Sequence, residues 1–200
     1  MACSVTLSDV TYSCDDLGVG GITELYLVNK AELTNEALEG LGATDVVFDV
    51  DTRRITGTVA AIALADGIEV EFNNKDGFSF FGEVKTVNAD GTTSTVPTIS
   101  FETPKMTPEK VTALNQMAKG GSELVALVAT AAKTYHLVGY DYGLYINTID
   151  GNSGTARAEK NRFQVTLTGE EDGLSYTFEE TLSDNGKAKF DTLVSLLKIA

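Results

Sequence analysis

The sequence predicts a mainly β fold: an antiparallel β-sandwich or barrel with one flanking α-helix and a C-terminal helix. Three observations lead to this prediction. Turn-forming clusters of Gly, Asn, Asp and Ser recur at intervals of roughly 8 to 12 residues. Between the clusters, apolar and β-branched residues alternate with polar ones, as in strands that bury one face. Only residues 107–119 combine helical spacing with clear start and stop signals.

The composition is that of a globular chain with a strongly acidic surface. The 200 residues are 42% hydrophobic and 22% charged, which is enough for one domain with a sizeable core. Basic residues number 15 and acidic residues 29, so the net charge is −14. Direct gripping of nucleic acid is disfavoured, because Lys and Arg are the groups that neutralise phosphates. The charge fits a highly soluble subunit or a surface that repels DNA.

We expect residues 1–21 to form an extended arm and residues 22–200 to form a single domain. The arm is rich in Ser, Thr, Asp and Gly, and it lacks the basic and apolar regions of a secretory signal. The chain has no apolar run of about 18 residues, so no membrane segment is predicted. Cys3 and Cys14 are expected to be unpaired thiols, because two cysteines and one distant histidine do not make a zinc site.

The first half of the domain is predicted to consist mostly of strands. Asp51-Thr52-Arg53 separates two apolar runs as a hairpin turn does, and Asn88 to Gly91 form a later turn. Pro97 lacks a backbone N–H, so its strand is expected at a sheet edge. The predicted strands are 22–28, 46–50, 54–59, 68–72, 78–87 and 95–101, with a short helix within 30–42.

One helix is predicted with clear boundaries at residues 107–119. Thr107 is a suitable N-cap, Pro108 suits the first helical position, and Glu109 favours the positive end of the helix dipole. Gly120 and Gly121 end the helix. The strands predicted after it are 123–130, 135–146 with a turn between Gly139 and Gly143, 162–168 and 174–178, followed by a helix within 184–200.

The stretch from Thr134 to Glu171 carries a family resemblance. Residues 139–144 read GYDYGL, residues 154–156 read GTA, and residues 161–171 read NRFQVTLTGEE. This order of motifs resembles the C-terminal half of tail tube proteins from tailed phages of Bacteroidetes hosts. The resemblance implies a barrel or sandwich whose strands join those of neighbouring subunits in a hexameric ring.

The resemblance also implies a function, that of a structural virion protein. The subunit would stack as rings around a channel, contact itself and other phage tail proteins, and let genomic DNA pass during ejection without binding it specifically. It would be assembled in the cytoplasm of the bacterial host and reside in the phage tail. Two alternatives stay open: another virion component, such as a tail terminator or head decoration protein, and a module that binds the host surface.

The sequence offers no recognisable catalytic set, and we predict that the protein is not an enzyme and needs no cofactor or metal. His136 is the only histidine, and it lies inside a predicted strand, so we expect a packed or surface residue. Pairs of neighbouring carboxylates are expected by chance among 29 acidic residues. Residues 72–83 match part of a calcium-loop pattern, but Phe72 occupies the first ligand position and cannot coordinate the ion.

Two groups of residues are predicted to serve assembly. Residues 68–87 are expected to form a long hairpin that a neighbouring subunit supports, because an isolated two-stranded ribbon is marginal in water. The candidate inter-subunit residues of this hairpin are Val70, Phe72, Asn74, Asp76, Phe78 and Phe80. Acidic residues on the outward face of strands are expected to line the channel, where they would keep DNA from sticking. The candidate lumen acids are Asp49, Glu69, Glu71 and Glu83.

Overall fold

The structure is a computed structural model that describes residues 20–33, 47–49, 51–56, 68–70, 79–119, 121, 123–154, 161–178, 187, 190 and 191. The described part contains eleven strands and the helix α1 (Pro108–Lys119). The strands are β1 (Ile22–Asn29), β2 (Val47–Asp49), β3 (Arg54–Thr56), β4 (Ile68–Glu69), β5 (Phe80–Val87), β6 (Thr93–Pro104), β7 (Leu124–Thr130), β8 (Tyr135–Val138), β9 (Leu144–Asn152), β10 (Arg162–Gly169) and β11 (Tyr176–Phe178). The predicted mainly β fold with a flanking helix is confirmed.

The strands form two layers of one continuous, open sheet. The first layer has the order β4-β1-β7-β8-β11-β3-β2, and the second has the order β9-β10-β6-β5. All pairs are antiparallel except β11 with β3. The layers connect where Leu124 at the start of β7 pairs with Leu144 at the start of β9. The predicted hairpin around Asp51-Thr52-Arg53 is present as the pair β2–β3.

The core has two parts, one on each face of the first layer. On one face, β1 and β7 contribute Leu25, Leu27 and Val128 to a cluster with side chains of the second layer, such as Val165. On the other face, alternate residues of the same strands pack against Phe190. The described residues of the C-terminal segment, Lys187, Phe190 and Asp191, are helical, as predicted. Residues 25–28 of β1 and 124–129 of β7 are therefore buried on both sides of the layer, which explains why both runs are continuously apolar.

The stretch that carries the family resemblance folds as its pattern predicts. Along β10, buried residues alternate with half-buried ones, and Phe163, Val165 and Leu167 face the core. Gly139 and Gly143 have φ angles of 85° and 87°, so both occupy the left-handed region that glycine tolerates. The chain turns between these two glycines from β8 into β9. This turn moves the chain from the first layer to the second.

Helix α1 begins as the sequence predicts. The hydroxyl oxygen of Thr107 accepts a hydrogen bond from the backbone N–H of Lys110 at 3.4 Å, as an N-cap does. The predicted short helix within 30–42 is seen as a single 3₁₀ turn, Lys30–Leu33, and residues 34–42 lie outside the described part of the chain. The predicted arm, residues 1–21, also lies outside it except for Gly20 and Gly21.

Two strand pairings differ from the sequence prediction. The described arms of the expected hairpin at 68–87 do not pair with each other: β4 pairs with β1, and β5 pairs with β6. Strand β1 is distant from β4 in the sequence, whereas β5 forms a hairpin with the next strand, β6, through the predicted turn at Asn88 to Gly91. The prediction that Pro97 marks a sheet edge is wrong, because β6 lies between β5 and β10. The β6–β10 pairing ends at Thr98, one residue short of the proline, so its missing N–H costs no ladder bond there.

Candidate functional site

Strand β5 has five exposed residues among its eight and no buried one. It pairs with β6 along its full length, and no other described strand pairs with its second edge. Three of its apolar side chains face solvent: Phe80 is 50% exposed, Val84 66% and Val87 70%. An apolar strand with an open edge can accept a further strand through its free N–H and C=O groups. Strand β5 is therefore a candidate surface for association.

A polar pocket opens beside β5, between this strand, the β2–β3 turn and the segment that leads into β11. Its volume is about 590 Å³. Its lining includes Arg53, Glu83, Lys85, His136, Asp172 and Ser175. These residues come from distant parts of the sequence, and the fold alone brings them together.

A hydrogen-bonded chain of three side chains forms one wall of the pocket. The backbone N–H and the hydroxyl of Ser175 donate to the two carboxylate oxygens of Glu83, at 2.7 and 3.1 Å. Because the hydroxyl proton is used in this way, Nδ1 of His136 is the donor to Ser175 Oγ at 3.1 Å. Nε2 of His136 then accepts from the hydroxyl of Thr134 at 3.0 Å.

Burial shifts the pKa values of the two ionisable side chains in this wall, His136 and Glu83. It lowers the pKa of His136 to about 4, so the imidazole is neutral at pH 7. Burial also raises the pKa of Glu83, although the hydrogen bonds from Ser175 oppose the rise. In a hydrolytic triad, the carboxylate contacts the nitrogen of histidine that faces away from serine. Here Thr134 occupies that nitrogen and Glu83 contacts the serine, so the three side chains do not have the arrangement of a triad.

A second polar cluster ties the turn between β8 and β9 to the rest of the protein. The guanidinium of Arg53 pairs with the carboxylate of Asp141 at 2.6 Å, and the hydroxyl of Tyr176 donates to the same carboxylate at 3.3 Å. Arg53 also lies over the ring of Tyr176, 4.7 Å from its centroid. The carboxylate of Glu171 accepts hydrogen bonds from the backbone N–H groups of Asp141 and Tyr142, at 3.2 and 3.5 Å.

Glu171 is the most strongly perturbed acid of this cluster. Burial and the nearby charge of Asp141 raise the pKa of Glu171 to about 7, although the N–H groups of the turn oppose the rise. Its backbone also forms two hydrogen bonds with Thr95 of β6, at 2.8 and 2.9 Å. The residue therefore joins the β8–β9 turn to the second layer, and its carboxyl is close to its titration point at neutral pH.

The residues predicted to serve assembly are only partly within the described structure. Phe80 is exposed on β5, whereas Val70 packs against the core between the two layers. Of the lumen candidates, Glu83 faces the polar pocket, and its partner Ser175 could not be inferred from sequence spacing. Asp49 and Glu69 belong to β2 and β4. The candidates Phe72, Asn74, Asp76, Phe78 and Glu71 lie outside the described residues. The roles of all these residues stay predictions.

Comparison with protein-family models, curated proteins and solved structures finds no match. Among the described residues, no three His, Cys, Asp or Glu side chains are grouped closely enough to hold a metal ion. No helix in that part of the chain is long and apolar enough to cross a membrane.

Proposed function

We propose that this protein is the tail tube subunit of a tailed phage and that it forms stacked rings around a channel that conducts DNA.

 The rings are hexameric in this proposal, and the subunit has no catalytic role in them. The observation that carries the proposal is strand β5, which combines an edge unpaired among the described strands with the exposed side chains of Phe80, Val84 and Val87. The motif order between Thr134 and Glu171 supports the particular family.

An open apolar edge strand needs a physical explanation, because it is a template for uncontrolled pairing. Soluble proteins usually protect such an edge with charges, prolines or a covering segment. Of the eight residues of β5, only Glu83 and Lys85 are charged, and both line the polar pocket. Pairing with a neighbouring subunit would cover the edge of β5 in every copy of a closed ring. This is why we favour an assembly subunit over a binding module for the host surface.

The acidic balance of the chain is consistent with the rest of the proposal. A tube must let DNA slide, and each Lys or Arg that met a phosphate would hold the duplex. The 29 acidic residues outnumber the 15 basic ones, so the net charge of −14 repels the duplex overall. The subunit would contact copies of itself and other tail proteins in the virion, and the DNA would pass without specific binding.

Electron microscopy of the purified protein over a range of concentrations tests the proposal. We expect rings that stack into hollow tubes. A single ring that does not stack would instead favour the tail terminator alternative. A protein that stays monomeric at high concentration, without any added partner, would contradict the proposal.

A matched pair of variants tests the part assigned to β5. Val87→Glu places a charge on the edge strand, and Val111→Glu places the same charge on helix α1, where Val111 is also exposed. We expect Val87→Glu to prevent ring formation and Val111→Glu to leave it intact. Equal assembly of the two variants would show that the β5 edge is not the contact.

A further inference from the structure

The polar pocket lies on the side of β5 that faces the first layer. Side chains of a strand alternate between its two sides. Val84 points to solvent, whereas Phe81 packs on the ring of His136, with 5.1 Å between centroids, and Glu83 is bonded to Ser175. The pocket, of about 590 Å³, is therefore located between the two layers. A pocket of this volume is large enough for a small molecule.

Glu83 is a half-buried carboxylate in this pocket, and no positive charge is in contact with it. Both of its oxygens accept hydrogen bonds from Ser175, which is neutral. In the part of the chain that the structure describes, Glu83 forms no ion pair with a Lys or Arg side chain. Removing a carboxylate from water costs free energy, and neutral donors offset only part of that cost. The position beside Glu83 is thus suited to a positive charge.

The two basic residues of the pocket do not supply that charge by contact. Arg53 pairs with Asp141 at 2.6 Å and lies over the ring of Tyr176. Lys85 is exposed, and it follows Glu83 by two residues on the same side of β5. Within the described structure, Lys85 forms no ion pair with Glu83. The charge of Glu83 is therefore left to solvent or to a ligand.

The acidic residues of the lining select the charge of a ligand. Asp51 and Asp172 also line the pocket, so it contains three carboxylates with Glu83. An anion would be repelled by all three. A neutral ligand would exclude water from Glu83 without replacing the lost charge stabilisation. A cation would be attracted to the pocket, and its contact with Glu83 would offset part of the desolvation cost.

The pocket favours an alkylammonium group over a metal ion. Each carboxylate oxygen of Glu83 has a second lone pair besides the one that Ser175 uses, so it can accept a further hydrogen bond. The three donors of an ammonium group rotate and need no fixed fork of acceptors. Leu174 lines the pocket and is 48% exposed, so it offers apolar surface to an alkyl chain. A metal ion needs several ligands grouped together, and no such group of acids and histidines is found among the described residues.

We infer that this pocket binds a small organic cation, a protonated alkyl amine whose ammonium group contacts the carboxylate of Glu83. Its alkyl part packs against Leu174, and the carboxylate of Asp172 adds attraction at longer range. The inference goes beyond the proposed function. It assigns a ligand to the side of β5 that faces the first layer, whereas the proposed assembly uses the open edge of the strand.

Titration with n-butylammonium chloride tests the inference, with 1-butanol as a neutral probe of similar size. Two-dimensional proton–nitrogen NMR spectra are recorded at constant ionic strength and at a concentration where the protein is monomeric. The backbone N–H of Ser175 is the reporter, because it donates to Glu83. We expect a saturable shift of this signal with a millimolar Kd, and at least about tenfold weaker binding of 1-butanol. No saturable shift at Ser175, or equal binding of the two probes, would overturn the inference.

A matched pair of variants separates the pocket from the general acidity of the chain. Glu83→Gln removes the charge and keeps the size of the side chain, and Glu109→Gln makes the same change at an exposed position of helix α1. We expect Glu83→Gln to weaken the binding of butylammonium at least about tenfold, and Glu109→Gln to change it by less than about twofold. Circular dichroism checks folding. Equal affinities of the two variants would overturn the inference.

Lys85→Met provides a test that does not require Glu83→Gln to fold. Lys85 is exposed, and its replacement removes a positive charge that opposes the binding of a cation. We expect butylammonium to bind this variant about two to three times more tightly than the wild type. Unchanged or weaker binding would overturn the inference.

Ring formation, measured separately, distinguishes this inference from the proposed function. Protein that forms rings and does not bind the amine would overturn only the inference. Protein that binds the amine through Glu83 and never forms rings would overturn only the proposed function.

Discussion

Strands β7 and β5 are similar in length, but their surroundings are opposite. All residues of β7 from Leu124 to Ala129 are buried, and the strand has partners on both sides in β1 and β8. In β5, four of eight residues are exposed in succession, from Val84 to Val87, and β6 is its partner on one side. The apolar side chains of β7 stabilise the fold of the single chain. Those of β5 contribute less to it and are available to a partner.

The turns next to the two strands should differ most in their response to mutation. Gly139 and Gly91 have nearly the same φ angles, 85° and 86°. A Cβ on Gly139 would lie 2.6 Å from Leu144 Cγ and 2.8 Å from the carbonyl oxygen of Leu124 in β7. A Cβ on Gly91, in the turn after β5, meets nothing within 4 Å.

We therefore expect Gly139→Ala to lower the free energy of unfolding by about 4 kcal/mol, from backbone strain together with the steric clash. Gly91→Ala should lower it by only about 1 kcal/mol, from backbone strain alone. Urea denaturation of both variants checks the difference. Equal losses would mean that the corner beside β7 is no more tightly packed than the turn after β5.

Truncation of core and surface side chains gives the next largest effect. Leu127 in β7 is fully buried, whereas Val84 in β5 is exposed. We expect Leu127→Ala to cost about 3 kcal/mol of stability, because the substitution leaves a cavity. Val84→Ala should change the stability of the monomer by less than about 0.5 kcal/mol. A large loss for Val84→Ala, measured at a concentration where the protein is monomeric, would mean that β5 is part of the core.

The smallest predicted effects concern pH, at two residues that lie near these strands. The pKa of Glu171 is about 7 in the folded protein and near 4.5 in the unfolded chain, so the folded state binds the proton more tightly. The stabilisation that protonated Glu171 gives the folded state is fully present below pH 4.5, and it is lost as the pH rises through 7. His136 behaves in the opposite way. Its pKa falls from 6.5 to about 4, so its contribution is present above pH 6.5 and is lost as the pH falls toward 4.

Two variants separate these opposing contributions. Between pH 7 and 4.5, the wild type should gain stability relative to Glu171→Gln by about 1 to 2 kcal/mol. Between pH 6.5 and 4, it should lose a similar amount relative to His136→Gln. Urea denaturation across this pH range measures both differences. Slopes of the same sign for the two variants would contradict the protonation states derived for the two clusters.

The sequence predicted the strands, helix ends and turns that are determined by residues close together in the chain. The alternation of Phe163, Val165 and Leu167 fixes β10, and Thr107 with Pro108 marks the start of α1. The glycines at 139 and 143 mark the turn because only glycine tolerates its backbone angles without strain. In each case, neighbouring residues in the sequence contain the physical reason for the structure.

The features that sequence reasoning missed depend on distant residues. Strand β4 of the predicted hairpin pairs with β1, which is distant in the sequence, whereas its other described arm, β5, pairs with the consecutive strand β6. Glu83 and Ser175 are 92 positions apart, so no spacing rule joins them. His136 was predicted to lie in a strand, and it does. Its hydrogen-bond partner Ser175 could be identified only from the structure.

Amide hydrogen exchange in monomeric and assembled protein tests most directly whether β5 serves assembly and β7 serves the fold. In the monomer, we expect fast exchange of the β5 amides that point to its open edge and slow exchange throughout β7. On assembly, those β5 amides should become protected because a neighbouring strand accepts their hydrogen bonds, while β7 should not change. Assembled protein in which residues 80–87 exchange as fast as in the monomer would contradict the account.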